Sequence, residues 1–298
     1  MNYIEKNRGF ITASKVKAYM KSKELYKKIY IDEVDTSIIK ESPALEKGTM
    51  IDEFILSPET FAKNYATPIW KWLKWDFEKA CLNLNIPIQP KASKDDLQAL
   101  LFGDKEVVTI WEFEMLEWIK RELKRQPLFD YDWEYNAQKE FTVEYKGLKL
   151  KGTLDRYSLE KKLIRDLKTT KDLEFSPFYW ATRFEQNLIN FDEYQYAFQM
   201  GWYWLLNYLH TKEKFDAILD AIKPSGNYAY EAYVYRSATL ERIALYAIIP
   251  TLDRLVEDTK NNEFVDPEEV RQQLINDRYY PILDWSIQKE LRIIEPSF

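Results

Sequence analysis

The sequence predicts an α/β fold in which helices surround a β-sheet, and three observations support it. Residues 138–145 alternate polar and apolar side chains, which is typical of a strand with one buried face. Residues 148–171 read as two further strands joined by a short charged turn. Residues 109–125 and 192–209 carry apolar side chains at helical spacing. With 16% aromatic residues and seven Gly, the composition also favours a helix-rich protein with a large core.

The N-terminal region is predicted to form one amphipathic helix followed by a loop. Residues 15–29 have the helical periodicity, and Thr12 or Ser14 is a suitable N-cap in front of them. Residues 32–43 are polar and are expected to form the loop.

A second helix is predicted over residues 44–56, where Gly48 interrupts the apolar pattern and marks a close approach of backbones. Asp52 and Glu53 lie in the apolar part of this pattern. An acid that points inward needs a partner or a metal ion, whereas both side chains could equally lie on a solvated face.

Residues 66–130 are interpreted as a helical insertion. The insertion holds a Trp-rich helix over residues 69–85, a short helix with Ser93 as its N-cap, and a stronger helix over residues 109–125. The basic residues that end the last helix either complement the helix dipole or contact DNA.

The central hairpin holds the residues with the clearest chemistry. Residues 153–158 and 163–168 form its strands, and period-two alternation places Asp166 and Lys168 on one face. If the strands pair through the turn, Asp155 lies beside Asp166. Two carboxylates and an ammonium group would then share a small volume, which fits a hard cation such as Mg²⁺. The alternative is a solvated hairpin decorated with charge, but charge within an apolar strand is costly unless it is paired.

The elements after the hairpin continue the helix–strand alternation. The helix over residues 192–209 carries Gln195, Gln199 and Tyr203 on one stripe, where the glutamines are either buried and hydrogen-bonded or half-exposed. A strand over residues 227–236, a long helix over 239–260 and a helix start at 266–269 follow. With no internal repeat or convincing linker, we expect a single domain over residues 1–298.

Composition and charge limit the function classes. One cysteine (Cys81) and one histidine (His210) exclude an internal disulfide framework and Cys- or His-rich metal centres, so any metal must be held mainly by carboxylates. No long apolar stretch or signal-peptide pattern is present, which predicts a cytoplasmic protein without a membrane segment. A net charge of −6 argues against a general polyanion binder but permits local basic patches.

Several motifs taken together resemble the PD-(D/E)XK nuclease superfamily. These are GTLD at 152–155, IRDLKTT at 164–170, and Gln199-x-x-x-Tyr203 on the following helix. The segments ITASKVKAYMKSKELY and GTMIDEFILSPETF are similar to the RecB-like and phage-recombination branch, of the exonuclease VIII (RecE) type. Leu283-Asp284-Trp285 near the C-terminus is loosely similar as well.

The resemblance implies a restriction-endonuclease-like core, with a central mixed β-sheet flanked by helices. It implies that Asp155, Asp166 and the Leu167 carbonyl bind a divalent metal, and that Lys168 positions or activates the attacking water. Gln199 and Tyr203 would support the site. Asp52 stands where relatives commonly have His or Glu, so the first motif departs from the pattern, and Glu53 is a neighbouring candidate.

The function implied by the resemblance is a Mg²⁺-dependent deoxyribonuclease, with Mn²⁺ as a substitute. The expected activity is a 5′→3′ exonuclease on duplex DNA ends in phage or prophage recombination or repair. A homo-oligomeric ring and a single-strand annealing protein are expected as assembly and partner. Two alternatives stay open: a catalytically impaired DNA-binding or assembly protein that keeps the nuclease fold, and a protein-interaction module that uses its aromatic surface.

Overall fold

A computed structural model of the chain describes residues 7–33, 43–66, 74–83, 85–103, 105–125, 137–169, 196–224 and 229–276. In chain order, the elements up to the main sheet are Ala13–Lys21 (α1), Lys23–Tyr30 (α2), Pro43–Leu56 (α3), Pro58–Asn64 (α4), Tyr65–Ala66 (β1), Lys74–Asn83 (α5), Lys94–Phe102 (α6), Glu106–Val107 (β2) and Ile110–Arg125 (α7). They are followed by Ala137–Tyr145 (β3), Leu148–Ser158 (β4), Leu163–Thr169 (β5), Tyr196–Thr211 (α8), Asp216–Lys223 (β6), Ala229–Tyr235 (β7), Ser237–Ile243 (α9), a π-helical turn at Ala244–Ile248, Ile249–Asn261 (α10) and Glu268–Asn276 (α11).

The main sheet has five strands in the order β3-β4-β5-β6-β7. Strands β5 and β6 are parallel and the other neighbouring pairs are antiparallel, so the sheet is mixed. Parallel neighbours need a crossover connection, and α8 lies between β5 and β6 in the chain. The short strands β1 and β2 pair separately.

Helices cover both faces of this sheet. On one face, Ile164 of β5 and Leu219 of β6 pack in one core cluster with Phe198 and Trp202 of α8. On the other face, a second cluster joins Leu167 of β5 to residues of α3 and α7. Because side chains alternate along β5, this single strand contributes to both cores. The α/β class and the mixed sheet flanked by helices are therefore confirmed.

The predicted hairpin is confirmed, with Arg156 opposite Arg165 in an antiparallel register. The N-caps predicted at Thr12 and Ser93 are also present, since their hydroxyl oxygens accept hydrogen bonds from Lys15 N and Asp96 N.

One predicted helix is interrupted, and another contains a π-helical turn. The prediction of one helix over residues 15–29 is wrong, because Ser22 adopts an extended conformation (φ −161°, ψ 123°) between α1 and α2 and caps α2. Asp266 stabilises this break by accepting hydrogen bonds from Lys23 N and Glu24 N at 2.7 and 3.1 Å. The long helix predicted over 239–260 is confirmed, since the chain is helical from Ser237 to Asn261, with a local irregularity before Pro250. Pro250 has no N–H to donate to the preceding turn, and a π-helical turn precedes it.

Strand β6 was not predicted, and some predictions cannot be compared with the structure. The loop at 34–42, the Trp-rich residues 67–73, the stretch 170–195 with Gln195, and the tail 277–298 with Leu283-Asp284-Trp285 lie outside the described residues. The single-domain organisation stays a prediction. In the part of the chain that the structure describes, no helix has both the length and the apolar character needed to cross a membrane.

A close contact between α8 and α9 gives a stability prediction. A Cβ atom on Gly201 would lie 2.5 Å from Ile243 Cγ2 and 3.1 Å from Ile243 Cβ. We therefore expect Gly201→Ala to lower the free energy of unfolding by about 1–3 kcal/mol, the usual cost of overpacking a core. Urea denaturation measures this loss. The double variant Gly201→Ala/Ile243→Ala removes the clashing methyl group, so its loss should be smaller than the sum of the two single losses. Wild-type stability in Gly201→Ala would contradict the packing described.

Candidate active site

The predicted acids lie where β4 and β5 stop pairing. The last pair of this ladder is Arg156 with Arg165, and Asp155 and Asp166 are the next residues on each strand. Beyond this pair, a hydrogen bond from a backbone N–H to a side chain links the two strands: Asp155 Oδ2 accepts from Leu167 N at 2.8 Å. Asp155 is thereby fixed beside the backbone of β5.

Asp166 and Lys168 lie on one face of β5, as the alternation predicts. Lys168 Nζ is 2.6 Å from Asp166 Oδ2 and donates to the Leu167 carbonyl at 3.2 Å. Asp166 is only 1% exposed. Two carboxylates, a backbone carbonyl and an ammonium group thus lie together, and the alternative of a solvated hairpin does not hold for these residues.

Helix α8 brings Gln199 and Tyr203 to the same place. Gln199 Nε2 donates to Tyr203 Oη at 2.7 Å and lies 3.5 Å from Asp166 Oδ1. Of the two alternatives for Gln199, the structure supports a partly buried, hydrogen-bonded side chain.

Gly152 permits this approach of helix and strand. A Cβ atom on Gly152 would lie 2.6 Å from Leu206 Cδ1 and 3.4 Å from Tyr203 Cδ1. The glycine before Asp155 therefore allows α8 to pack closely enough for Gln199 to reach Asp166.

Helix α3 directs Asp52, rather than Glu53, towards the acids. Burial raises the pKa of Asp52 to about 7, with the Asp166 charge adding to the shift and Lys168 opposing it. Glu53 instead accepts a hydrogen bond from Asn64 Nδ2 at 2.9 Å. Neighbouring residues on a helix point about 100° apart, which explains why only one of them faces the cluster.

The charges of the cluster are strongly coupled. Burial raises the pKa of Asp155 well above its usual range, and the neighbouring Asp166 adds to this effect. Burial alone would lower the pKa of Lys168, but Asp166 and Asp155 raise it well above its usual value. Lys168 is therefore a cation that partly neutralises a dense group of acids.

These residues suit a divalent cation chemically. The oxygen donors of Asp155, Asp166, Leu167 and Asp52 are the hard ligands that Mg²⁺ prefers. Among the described residues, Asp166 Oδ2 is buried and accepts no hydrogen bond of good geometry. Within those same ranges, no three Asp, Glu, His or Cys side chains already form a ligand set. Lys168 Nζ lies against Asp166 Oδ2 instead, so binding a metal there requires the ammonium group to move.

Lys17 of α1 was missed in the sequence analysis. Burial lowers the pKa of Lys17 to about 8, and the charge of Lys168 lowers it further while Asp166 raises it. The influence of both charges indicates that Lys17 lies near Asp166 and Lys168. Lys17 lies four residues after Ala13 and three before Met20, both of which pack in the first core cluster; a lysine on this apolar stripe is the signal that could have identified it.

Fold and site together define a protein of the restriction-endonuclease-like class. Residues 12–266 match the sequence profile of the PDDEXK-like domain of unknown function (DUF3799). The chain belongs to this family, which confirms the resemblance to the PD-(D/E)XK superfamily.

A solved structure shares the fold. It is that of a candidate exonuclease from Eubacterium rectale, with a TM-score of 0.55 and 18% identity over 89% of this chain and 86% of that chain. A second solved structure, SSO0001, covers 59% of this chain and 69% of its own at 17% identity, but its TM-score of 0.25 is too low to support an argument. No curated protein matches the sequence significantly.

Proposed function

We propose that the chain is a divalent-metal-dependent deoxyribonuclease. The observation that carries the proposal is the convergence of Asp155, Asp166 and Lys168 at the point where β4 and β5 part. Membership of a PDDEXK-like family supports it, as does a fold shared with a candidate exonuclease.

In this proposal Asp155, Asp166 and the Leu167 carbonyl hold Mg²⁺, with Asp52 as a further carboxylate and Mn²⁺ as a substitute. The bound metal would lower the pKa of a coordinated water and draw charge from the phosphoryl oxygens. Lys168, displaced from Asp166 Oδ2 by the metal, would position the attacking water and supply a positive charge beside the scissile phosphate. Gln199 helps to keep Asp166 in place through its hydrogen bond to Oδ1, and Tyr203 orients Gln199 by accepting a second one.

The finer proposal is a 5′→3′ exonuclease that acts on duplex DNA ends in phage or prophage recombination or repair. It is tested with linear duplexes labelled at the 5′ or the 3′ end of one strand, in Mg²⁺ or in EDTA. We expect Mg²⁺-dependent release of short products, with the 5′ label released before the 3′ label. Release of the 3′ label first would overturn the polarity. DNA binding without cleavage in Mg²⁺ or Mn²⁺ would overturn the nuclease and favour a binding protein that keeps the fold. The ring and the annealing partner are expectations from the resemblance.

Lys17 gives a specific prediction for this site. A cation near the acids can contact the phosphate of the bound strand, and a hydrogen bond to a charged group contributes about 1.5–3 kcal/mol. We therefore expect Lys17→Gln to lower kcat/KM by at least ~10-fold.

The matched control for Lys17→Gln is Lys27→Gln, a half-exposed lysine on α2, which should change kcat/KM less than twofold. Steady-state kinetics on a short duplex measures both variants. Equal rates for Lys17→Gln and the wild type would exclude a role for this cation.

A further inference from the structure

A second buried charge cluster lies behind the acids, on the opposite face of the sheet. Arg165 Nε donates to Asp220 Oδ2 at 2.9 Å, and Arg165 Nη2 donates to Asp220 Oδ1, so the pair is bidentate. Tyr230 Oη donates to Asp220 Oδ1 at 2.6 Å. Arg165 and Asp220 are 5% and 2% exposed. This is a buried ion pair, and removing either partner would leave the other as an uncompensated buried charge.

Arg156 brings a fourth strand into the cluster. It is 8% exposed and lies directly opposite Arg165 in the β4–β5 register. We call Arg156, Arg165, Asp220 and Tyr230 the four-strand cluster, because β4, β5, β6 and β7 each contribute one residue.

The four-strand cluster lies at the position where the pairing of β4 and β5 ends. Arg156 follows Asp155 and Arg165 precedes Asp166, and their pairing is the last of the ladder. Like charges directly opposite each other destabilise a strand pair. Asp220, which holds Arg165 with two hydrogen bonds, supplies the negative charge that makes this pair of arginines tolerable inside the protein.

Through Asp220, strand β6 holds the segment of β5 that carries Arg165. Asp220 lies opposite Leu167 in the parallel β5–β6 register, and the Leu167 N–H holds Asp155 Oδ2. The same short segment of β5 thus carries Arg165, Asp166 and the amide that orients Asp155. A change in how Asp220 holds this segment moves both acids.

We propose that Asp220 is a positioning residue for the metal site: by holding Arg165 opposite Arg156, it fixes the place where β4 and β5 part and hence the distance between Asp155 and Asp166. The inference rests on the proposed metal-dependent function and adds a determinant of metal affinity that touches neither metal nor DNA. Changes to residues that orient metal ligands typically cost 10- to 100-fold in metal affinity or activity.

The test is metal binding by Asp220→Asn without DNA. This variant keeps the shape of the side chain and removes its charge. Calorimetric titration with Mn²⁺, and the rise in Tm that Mn²⁺ causes, are compared with the wild type. We expect affinity at least ~10-fold weaker and a correspondingly smaller rise in Tm, with an unchanged circular dichroism spectrum.

The matched control is Asp258→Asn. Asp258 is also a poorly exposed acid in an ion pair, with Lys23 Nζ at 2.6 Å, but it lies on α10 and contacts neither β4 nor β5 through that pair. Asp258→Asn should lower the Tm and leave the affinity for Mn²⁺ unchanged. An equal affinity loss in both variants would show general destabilisation and overturn the proposal.

Affinity within twofold of the wild type in Asp220→Asn would also overturn the positioning role. If Asp220→Asn does not fold, Tyr230→Phe is the deciding variant, since it leaves the Arg165–Asp220 pair in place and removes the hydrogen bond from Tyr230 to Asp220 and the longer one from Arg165 to Tyr230. A measurable loss of Mn²⁺ affinity in Tyr230→Phe supports the proposal and wild-type affinity overturns it. Failure of the proposed metal-dependent nuclease is distinguishable, because it would show in the wild type itself, as absent Mn²⁺ binding or absent cleavage, whereas failure of the positioning role would show only in the variants.

Discussion

The Asp166→Asn variant is expected to hydrolyse DNA at least ~10³-fold more slowly than the wild type. Metal-mediated stabilisation of transition-state charge contributes several kcal/mol, and about 4 kcal/mol corresponds to ~10³-fold in rate. Asp166 is the most buried acid of the site, and its Oδ2 atom faces Lys168 Nζ at 2.6 Å. Asparagine keeps the size of the side chain but removes the charge that a divalent metal requires. Single-turnover cleavage of a labelled linear duplex measures the effect.

The control for this variant is Glu53→Gln. Glu53 is adjacent in sequence to the proposed ligand Asp52, yet its carboxylate accepts a hydrogen bond from Asn64. The cleavage rate of Glu53→Gln should therefore lie within about threefold of the wild-type rate. A circular dichroism spectrum and a Tm for Asp166→Asn separate lost chemistry from lost folding. Full activity in folded Asp166→Asn would contradict the proposed role of Asp166 as a metal ligand.

The Lys168→Ala variant is expected to lose about 10²- to 10⁴-fold in the rate of the chemical step, the range typical of a residue that assists proton transfer in the transition state. Its metal affinity, unlike that of a variant that has lost a ligand carboxylate, should not fall. Lys168 Nζ lies against Asp166 Oδ2, where it repels a divalent cation, so its removal should leave Mn²⁺ affinity equal or higher. Calorimetry combined with single-turnover kinetics measures both quantities.

Lys162→Ala is the matched control, since Lys162 lies in the turn of the same hairpin and forms an exposed pair with Glu213 at 3.3 Å. Exposed pairs contribute little to stability, and this variant should retain the wild-type rate. A Lys168→Ala variant that loses metal affinity and rate together would show that Lys168 stabilises the site rather than the transition state.

Local periodicity explains why the hairpin was predictable. The alternation along 163–168 decides which face Asp166 and Lys168 share, whatever packs against that strand. The spacing of Gln199 and Tyr203 likewise follows from one helical turn. Predictions that depend on a single element were therefore correct for these residues.

The features that were missed depend on contacts between elements distant in sequence. Strand β6 is buried along almost its whole length, and such a strand reads as a nearly continuous apolar run without alternation. The break at Ser22 depends on Asp266, which lies 244 residues away along the chain. Sequence alone left Asp52 and Glu53 undecided, because only the packing of α3 against the sheet determines which one faces the acids. Lys17 and Asp220 became recognisable for the same reason.

The most direct test of the proposed metal-dependent nuclease is digestion of linear and covalently closed duplex DNA, in Mg²⁺ or EDTA, by the wild type and Lys168→Ala. The proposal predicts Mg²⁺-dependent loss of the linear form alone, and no loss of either form with Lys168→Ala in the time that the wild type needs to digest the linear form. Cutting of the closed circle would indicate an endonuclease at the same site. Absence of cleavage by the wild type in both Mg²⁺ and Mn²⁺, or unchanged cleavage by Lys168→Ala, would contradict the proposed active site.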